Sequence, residues 1–172
     1  MPRLHEKVLV IIGGTSGIGL AAAKAFTANG AQVVAVGRDD EHLPIAQQTL
    51  NSNALVLAAD AADPTTAREA IAQARARFGN FHGLYHVAGG SGRKFGDGPL
   101  HELTDAGLEE TLRLNFYSVV YSNRAAVQAL LEQKNGGSIL NVSSVLAFSP
   151  SPKYFATHAY SAAKAAQTPA AS

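Results

Sequence analysis

Lys7-Val8-Leu9-Val10-Ile11-Ile12-Gly13-Gly14-Thr15-Ser16-Gly17-Ile18-Gly19 is the stretch whose reading decides the fold of this chain. Its apolar run is continuous rather than alternating, the pattern of a parallel strand covered on both faces. Gly13-Gly14 end the strand. A helix follows from about Gly17, carried by Leu20, Ala21, Ala23, Lys24, Ala25 and Phe26 and closed by Asn29-Gly30. Strand, glycine turn and helix in that order place backbone N–H groups at a helix N-terminus, where a pyrophosphate is stabilised. The spacing is Gly-x-x-x-Gly-x-Gly, and a plain glycine-rich turn is the alternative for the motif alone.

The same strand and helix rhythm repeats outward from this turn. Ala31–Val36 reads as a second buried strand, followed by Gly37-Arg38-Asp39 and a helix around Glu41–Leu50 that begins near Pro44. Ala54–Ala59 is a third strand. Asp63 and Pro64 supply an N-cap and first-turn proline for a helix that runs to Phe78 and stops at Gly79. Leu84–Val87 is a fourth strand, and Ala88–Pro99, with five glycines, a long loop of the kind that is usually functional. Thr104 caps a helical region that reaches Lys134 with a break near Asn115 and ends at Gly136-Gly137. Ser138–Val142 is a fifth strand, and another helix begins at Thr157. The last residues, from Ala165 to Ser172, are small and polar, and Pro169 would stop any helix. Five strands alternating with helices predict an α/β fold, a Rossmann-like doubly wound parallel sheet of strand order 3-2-1-4-5, in one domain spanning residues 1–172.

Composition narrows the function classes. The 172 residues are 47% apolar, enough for a core without disulfides, and cysteine is absent, so thiolate chemistry and Cys-based zinc sites are excluded. Charged residues make up 16%, and 14 Lys+Arg against 13 Asp+Glu leave a net charge of +1, so nothing marks a nucleic-acid partner. The apolar run Val8–Ile12 is far short of the ~20 residues a membrane helix needs, and no signal-peptide core is present. A cytoplasmic protein is the expectation, with no membrane partner. His82 and His86 share a strand face, but four extended residues span ~13 Å, too far to ligate one metal ion; a loop residue and a cleft residue are expected instead.

In an open α/β sheet, ligands bind beyond the carboxyl ends of the strands. After the second strand comes Gly37-Arg38, where an acidic residue would bind the ribose 2′-hydroxyl of NAD and an arginine suits the 2′-phosphate of NADP. NADP is expected, with NAD the alternative, and Arg38 pairing with Asp39, Asp40 or Glu41 is the competing reading. Asp60 is placed to accept a hydrogen bond from an adenine amino group or to cap the next helix, a job that suits Asp63 better. Strand five ends in Asn141-Val142-Ser143-Ser144, and the helix after it carries Tyr160-Ser161-Ala162-Ala163-Lys164. Residues i and i+4 share a helix face about 6 Å apart, so Tyr160 and Lys164 project together. A lysine cation stabilises tyrosinate, which fits Tyr160 to exchange a proton with a carbonyl oxygen or an alcohol, and Ser144 can polarise that oxygen.

With these residues in place, the chain from Leu4 to Ala166 resembles the short-chain dehydrogenase/reductase family. The family's glycine loop appears as Ile12-Gly13-Gly14-Thr15-Ser16-Gly17-Ile18-Gly19, with Ile12 for a leading threonine. Its Asn-Asn-Ala-Gly signature appears as His86-Val87-Ala88-Gly89, with both asparagines changed. The resemblance implies an NADP(H)-dependent oxidoreductase that interconverts a carbonyl and an alcohol. It implies that Tyr160 is the acid/base, that Lys164 binds ribose and tunes Tyr160, and that Ser144, second of the serine pair after Ser143, orients substrate. Asn115 would hold a relay water. Cofactor contacts are expected from Gly13, Thr15, Ser16, Gly17, Ile18, Gly19, Arg38, Asp60, Ala61, His86, Ala88, Gly89, Tyr160 and Lys164.

Leu146–His158 looks longer than usual for the family, so an unusual substrate mouth is expected. Family members continue past the catalytic helix with two further strands and a substrate-covering segment, and this chain is expected to be a C-terminally shortened member without them. Strand five would then be an exposed edge, and the interface helix of a homo-oligomer would be incomplete. A catalytically weak nucleotide-binding module or interaction protein is therefore the second reading.

Overall fold

Five apolar runs become the strands β1 (Val8–Ile12), β2 (Gln32–Gly37), β3 (Ala54–Ala58), β4 (Gly83–His86) and β5 (Ser138–Asn141) of one sheet in a computed structural model that describes residues 3–38 and 41–167. All pairings are parallel and the order is β3-β2-β1-β4-β5, the doubly wound arrangement. Register brings the strand ends level: Ile12 faces Val36 and His86, and His86 faces Asn141. Gly13, Arg38 and Val87, where the first, second and fourth crossovers begin, and Ser143 after β5 consequently emerge along one edge.

The helices are α1 (Gly17–Ala28), α2 (His42–Leu50), α3 (Thr66–Phe78), α4 (Asp105–Leu112), α5 (Ser118–Gln133) and α6 (His158–Ala166). Buried Val10, Ile12, Val34, Val36 and Leu84 pack on one face against Ala67, Ala70, Ile71 and Ala74 of α3 and Ala126 and Ala129 of α5. Ile11, Val33 and Ala35 pack on the other against Ala23 and Leu50. Each fully buried aliphatic side chain contributes ~1.5–3 kcal/mol, which is why these strands read as unbroken apolar runs.

Helix starts depart from the sequence expectation. α3 begins at Thr66 rather than at Asp63-Pro64, because the Asp63 carboxylate accepts from the Thr65 amide and hydroxyl in a turn of its own. α2 begins at His42, so Pro44 lies in the first turn, where its missing N–H costs no bond. The expected cap at Thr104 is present, its hydroxyl accepting from Gly107 N at 3.0 Å. Near Asn115 the helix widens into a π-helical segment, Arg113–Tyr117, and resumes as α5. α5 ends on Lys134, itself left-handed at φ 59°, ahead of Gly136-Gly137. The Ala88–Pro99 loop holds a 3₁₀ turn at Gly92–Phe95. The expectation for the terminal stretch from Thr168 lies outside the described residues. No helix among those described is long and apolar enough to cross a membrane.

Candidate active site

A cleft of about 670 Å³ opens at the carboxyl edge of the sheet. Gly13, Thr15, Ser16, Gly17 and Ile18 form one wall, Arg38, Asp60 and Ala61 a second, and Ala88, Gly89, Gly90, Ser91, Lys94 and Phe95 a third. Gly13 has φ +88°, and a Cβ there would lie 2.7 Å from Ala88 N, so only glycine lets the first and fourth crossovers meet. Ser16 precedes α1 in an extended conformation without a side-chain cap, which leaves the first-turn amides for an anion. Gly19 does not line the cleft; it packs the start of α1 onto Gly13.

At the end of β2, a Cβ on Gly37 would lie 2.8 Å from the Cβ of buried Thr15. No side chain fits there, and an acidic one least. Arg38 lies exposed at the rim. Of its three expected competitors, Asp39 and Asp40 lie outside the described residues. Asp60 accepts from Ala62 N at 3.0 Å and from Arg113 Nη1 at 3.1 Å. Burial works to raise its carboxyl, but the Ala62 amide and Arg113 outweigh it and hold Asp60 below its ordinary value. Arg113 is in turn gripped by Glu110 through two bonds, 2.7 and 2.9 Å. Sequence reading missed this Glu110–Arg113–Asp60 chain, although the i, i+3 spacing of Glu110 and Arg113 was a visible signal.

His86 is corrected from its expected place as a cofactor contact and cleft residue. Its ring is 1% exposed and lies behind the loop, bonded through Nδ1 to Ser122 Oγ (2.9 Å) and through Nε2 to the Ala88 carbonyl (3.1 Å). In the neutral ring Nε2–H donates to the Ala88 carbonyl, and the single Ser122 hydroxyl proton faces two acceptors, Nδ1 and the Ser118 carbonyl at 2.7 Å. Burial, aided by the Lys164 charge, pushes His86 down to about 4. His82 is the expected loop residue, its Nδ1 accepting from Val8 N at 2.9 Å.

Asn115, in the π segment, is buried, and its amide clasps the cleft loop. Oδ1 accepts from Gly90 N (3.0 Å), and Nδ2 donates to the carbonyls of Gly90 (2.7 Å) and Thr111 (2.9 Å). Its own carbonyl accepts from Nε2 of buried Gln167. Lys164 is 3% exposed and donates from Nζ to the Val142 carbonyl at 2.8 Å, with Nζ 5.8 Å from the Tyr160 ring centroid. Burial pushes its ammonium down to about 8. Gly89 joins cleft and side chains, since a Cβ there would lie 2.7 Å from Asn115 Oδ1 and 3.5 Å from Lys164 Nζ.

The two serines are distinguished by their bonds. Ser143 donates to the Lys164 carbonyl at 3.0 Å, whereas Ser144 accepts from Leu146 N at 3.2 Å, which leaves its proton for another acceptor. Tyr160 is half-buried on the first turn of α6. Neither Ser144, in the turn after β5, nor Tyr160, on α6, lines the cleft itself.

The sheet order, glycine loop and paired Tyr160 and Lys164 define a dinucleotide-fold dehydrogenase framework. The family model for short chain dehydrogenase matches residues 7–170, and the chain belongs to that family. It is 32% identical over 157 residues to the L-rhamnose-1-dehydrogenase of Scheffersomyces stipitis, an alignment covering 84% of this chain and 57% of the relative. It is 31% identical over 178 residues to the chanoclavine-I dehydrogenase of Penicillium roqueforti, covering 98% and 67%. The crystal structure of gox2181 superimposes with a TM-score of 0.85 at 23% identity, covering 95% of this chain and 63% of that one, a likeness of fold. The chain spans about three fifths of the length of the curated relatives it matches.

Proposed function

We propose that residues 1–172 form one dinucleotide-binding domain of an NADP(H)-dependent oxidoreductase that interconverts a carbonyl and an alcohol. The observation that carries this reading is the continuity at Gly89, which lines the cleft on one side and abuts Asn115 and Lys164 on the other. The residues present fit a dinucleotide: an uncapped helix N-terminus for the pyrophosphate, Arg38 in place of an acid for a 2′-phosphate, and Asp60 for the adenine edge. The bound cofactor supplies the hydride and accepts it back.

The chain's own residues handle the proton. In reduction Tyr160 donates to the oxygen as negative charge develops there, and in oxidation it takes the proton back. Lys164, cationic below about pH 8, favours the tyrosinate left behind, and its bond to the Val142 carbonyl fixes the ammonium in place. Ser144 turns its hydroxyl proton toward the substrate oxygen. A relay water at Asn115 would donate to an oxygen that already accepts one bond, the main-chain carbonyl beside Gln167 or Oδ1 beside Gly90 N, because both Nδ2 hydrogens are committed to Gly90 and Thr111.

The test is purified 172-residue protein with NADPH and a panel of ketones and aldehydes, alongside Tyr160→Phe. Carbonyl-dependent NADPH oxidation that Tyr160→Phe lowers by about a thousandfold is the expected result. NADPH binding without turnover would instead favour the second reading, a nucleotide-binding module.

A further inference from the structure

Asp97 lies in the loop that leaves the cleft, far in sequence from α6, yet it caps that helix. It is 3% exposed, and its two carboxylate oxygens accept from Ala159 N and Tyr160 N, each at 3.1 Å. Thr157, the residue preceding α6, makes no side-chain cap bond. Next along the same loop, Gly98 offers its carbonyl to His158 Nδ1 at 3.1 Å. Thus the first-turn amides of α6 are satisfied by a carboxylate 62 and 63 residues away, which also meets the positive end of the helix.

Asp97 is held as firmly as it holds. Its own amide donates to the Gly92 carbonyl at 3.1 Å, and a Cβ on Gly107 of α4 would lie 2.6 Å from that amide nitrogen, so α4 presses directly on the Asp97 backbone. Ser91, Lys94 and Phe95 of the same loop line the cleft. One rigid loop therefore forms a cleft wall with its first half and fixes the first turn of α6 with its second.

We propose that Asp97 is a positioning residue for the reaction: its carboxylate sets the height and rotation of α6, and thereby the place of the Tyr160 hydroxyl relative to the cleft. The proposal rests on the assignment of Tyr160 as the acid/base. A proton donor displaced by about 1 Å loses on the order of a hundredfold in rate while substrate and cofactor still bind.

The experiment compares Asp97→Ala and Asp97→Asn with the unaltered chain in kcat, KM, NADPH Kd and amide hydrogen exchange. Asp97→Ala is expected to lower kcat by tenfold to a hundredfold with the NADPH Kd changed less than about twofold, and Asp97→Asn, which retains one acceptor, to recover most of that loss. Exchange at Ala159 and Tyr160 is expected to speed up by about tenfold, with the central strands unchanged. Unaltered kcat in Asp97→Ala overturns the proposal. So does an equal loss of kcat and NADPH binding, or of kcat alone with no difference between the two variants, which mark a merely structural residue. If the unaltered chain turns over no carbonyl, the assignment of Tyr160 fails, and the exchange data decide the role of Asp97 alone. Faster exchange confined to α6 then supports Asp97 as the group that fixes the first turn of that helix, and unchanged or sheet-wide exchange rejects it.

Discussion

An imidazole with both nitrogens engaged and almost no access to water stands at position 86. Its depression to about 4 from an ordinary 6.5 has a definite consequence for stability. Above pH 6.5 the ring is neutral whether the chain is folded or unfolded. As pH falls below 6.5 the unfolded chain takes up a proton that the folded chain refuses, so stability is lost down to about pH 4, about 3 kcal/mol in all. Chemical denaturation across this range is expected to show that slope, and His86→Asn, which does not titrate, to reduce it between pH 6.5 and 4.5 to the part left by His82, which burial also lowers. A slope unchanged in the variant would assign it to other groups. Arg38 carries the other residue-level expectation. Gly37 is backed by Thr15 and closed to any side chain, so in the proposed function Arg38 is the side chain that would select NADP, and a charge-assisted contact to a 2′-phosphate is worth roughly tenfold or more. The ratio of kcat/KM for NADPH over NADH is expected to exceed that value and to invert in Arg38→Asp; equal use of both cofactors would remove the role of Arg38.

Elements were legible in the sequence where their information is local. Val8–Ile12 and Val33–Val36 are covered on both faces, so burial prints them as unbroken apolar runs, and Thr104 caps the helix immediately after it. Asp63 departs from expectation through a local competitor, since Thr65, two residues on, offers it two donors in a turn of its own. Other positions depend on distant partners: α6 takes its cap from Asp97 on another crossover, and His86 turns from the cleft to Ser122. No spacing along the chain encodes those two meetings. In the Glu110–Arg113–Asp60 chain the i, i+3 pair is local, but the reach of Arg113 to Asp60 in the turn after β3 is of the same distant kind. Arg113 is about one-third exposed, so the ion pairs contribute less than about 1 kcal/mol each to stability. Their larger effect is to fix where Asp60 points into the cleft. Arg113→Met is expected to raise the NADPH Kd about fivefold with the melting temperature little changed. Calorimetric titration checks this, and an unchanged Kd would show that Asp60 keeps its place without the arginine.

Across the whole molecule, the sheet is covered unevenly. β1 and β2 are buried on both faces, but along β5 the outward alternation leaves Leu140 57% exposed while Ile139 packs against the core under α5. Beside Leu140 a groove of about 480 Å³ is lined by Leu4, Leu9, Phe26 and Tyr85, apolar side chains on the α1 side of β1 and β4. Parallel strands are normally covered on both sides, and a strand bonded to one neighbour also offers a hydrogen-bonding edge; among the described residues β5 pairs with β4 alone. The two faces of this strand should therefore answer differently to the same substitution. Leu140→Lys keeps its charge in water and is expected to change stability by no more than about 0.5 kcal/mol. Ile139→Lys drives an ammonium into the core and is expected to cost several kcal/mol or to unfold the chain. Light scattering should register weaker self-association in Leu140→Lys than in the unaltered protein, because the charge interrupts the apolar surface. A large loss of stability in Leu140→Lys would show that this face is covered in solution, and equal losses in both variants would show that β5 does not present its two sides as the alternation requires.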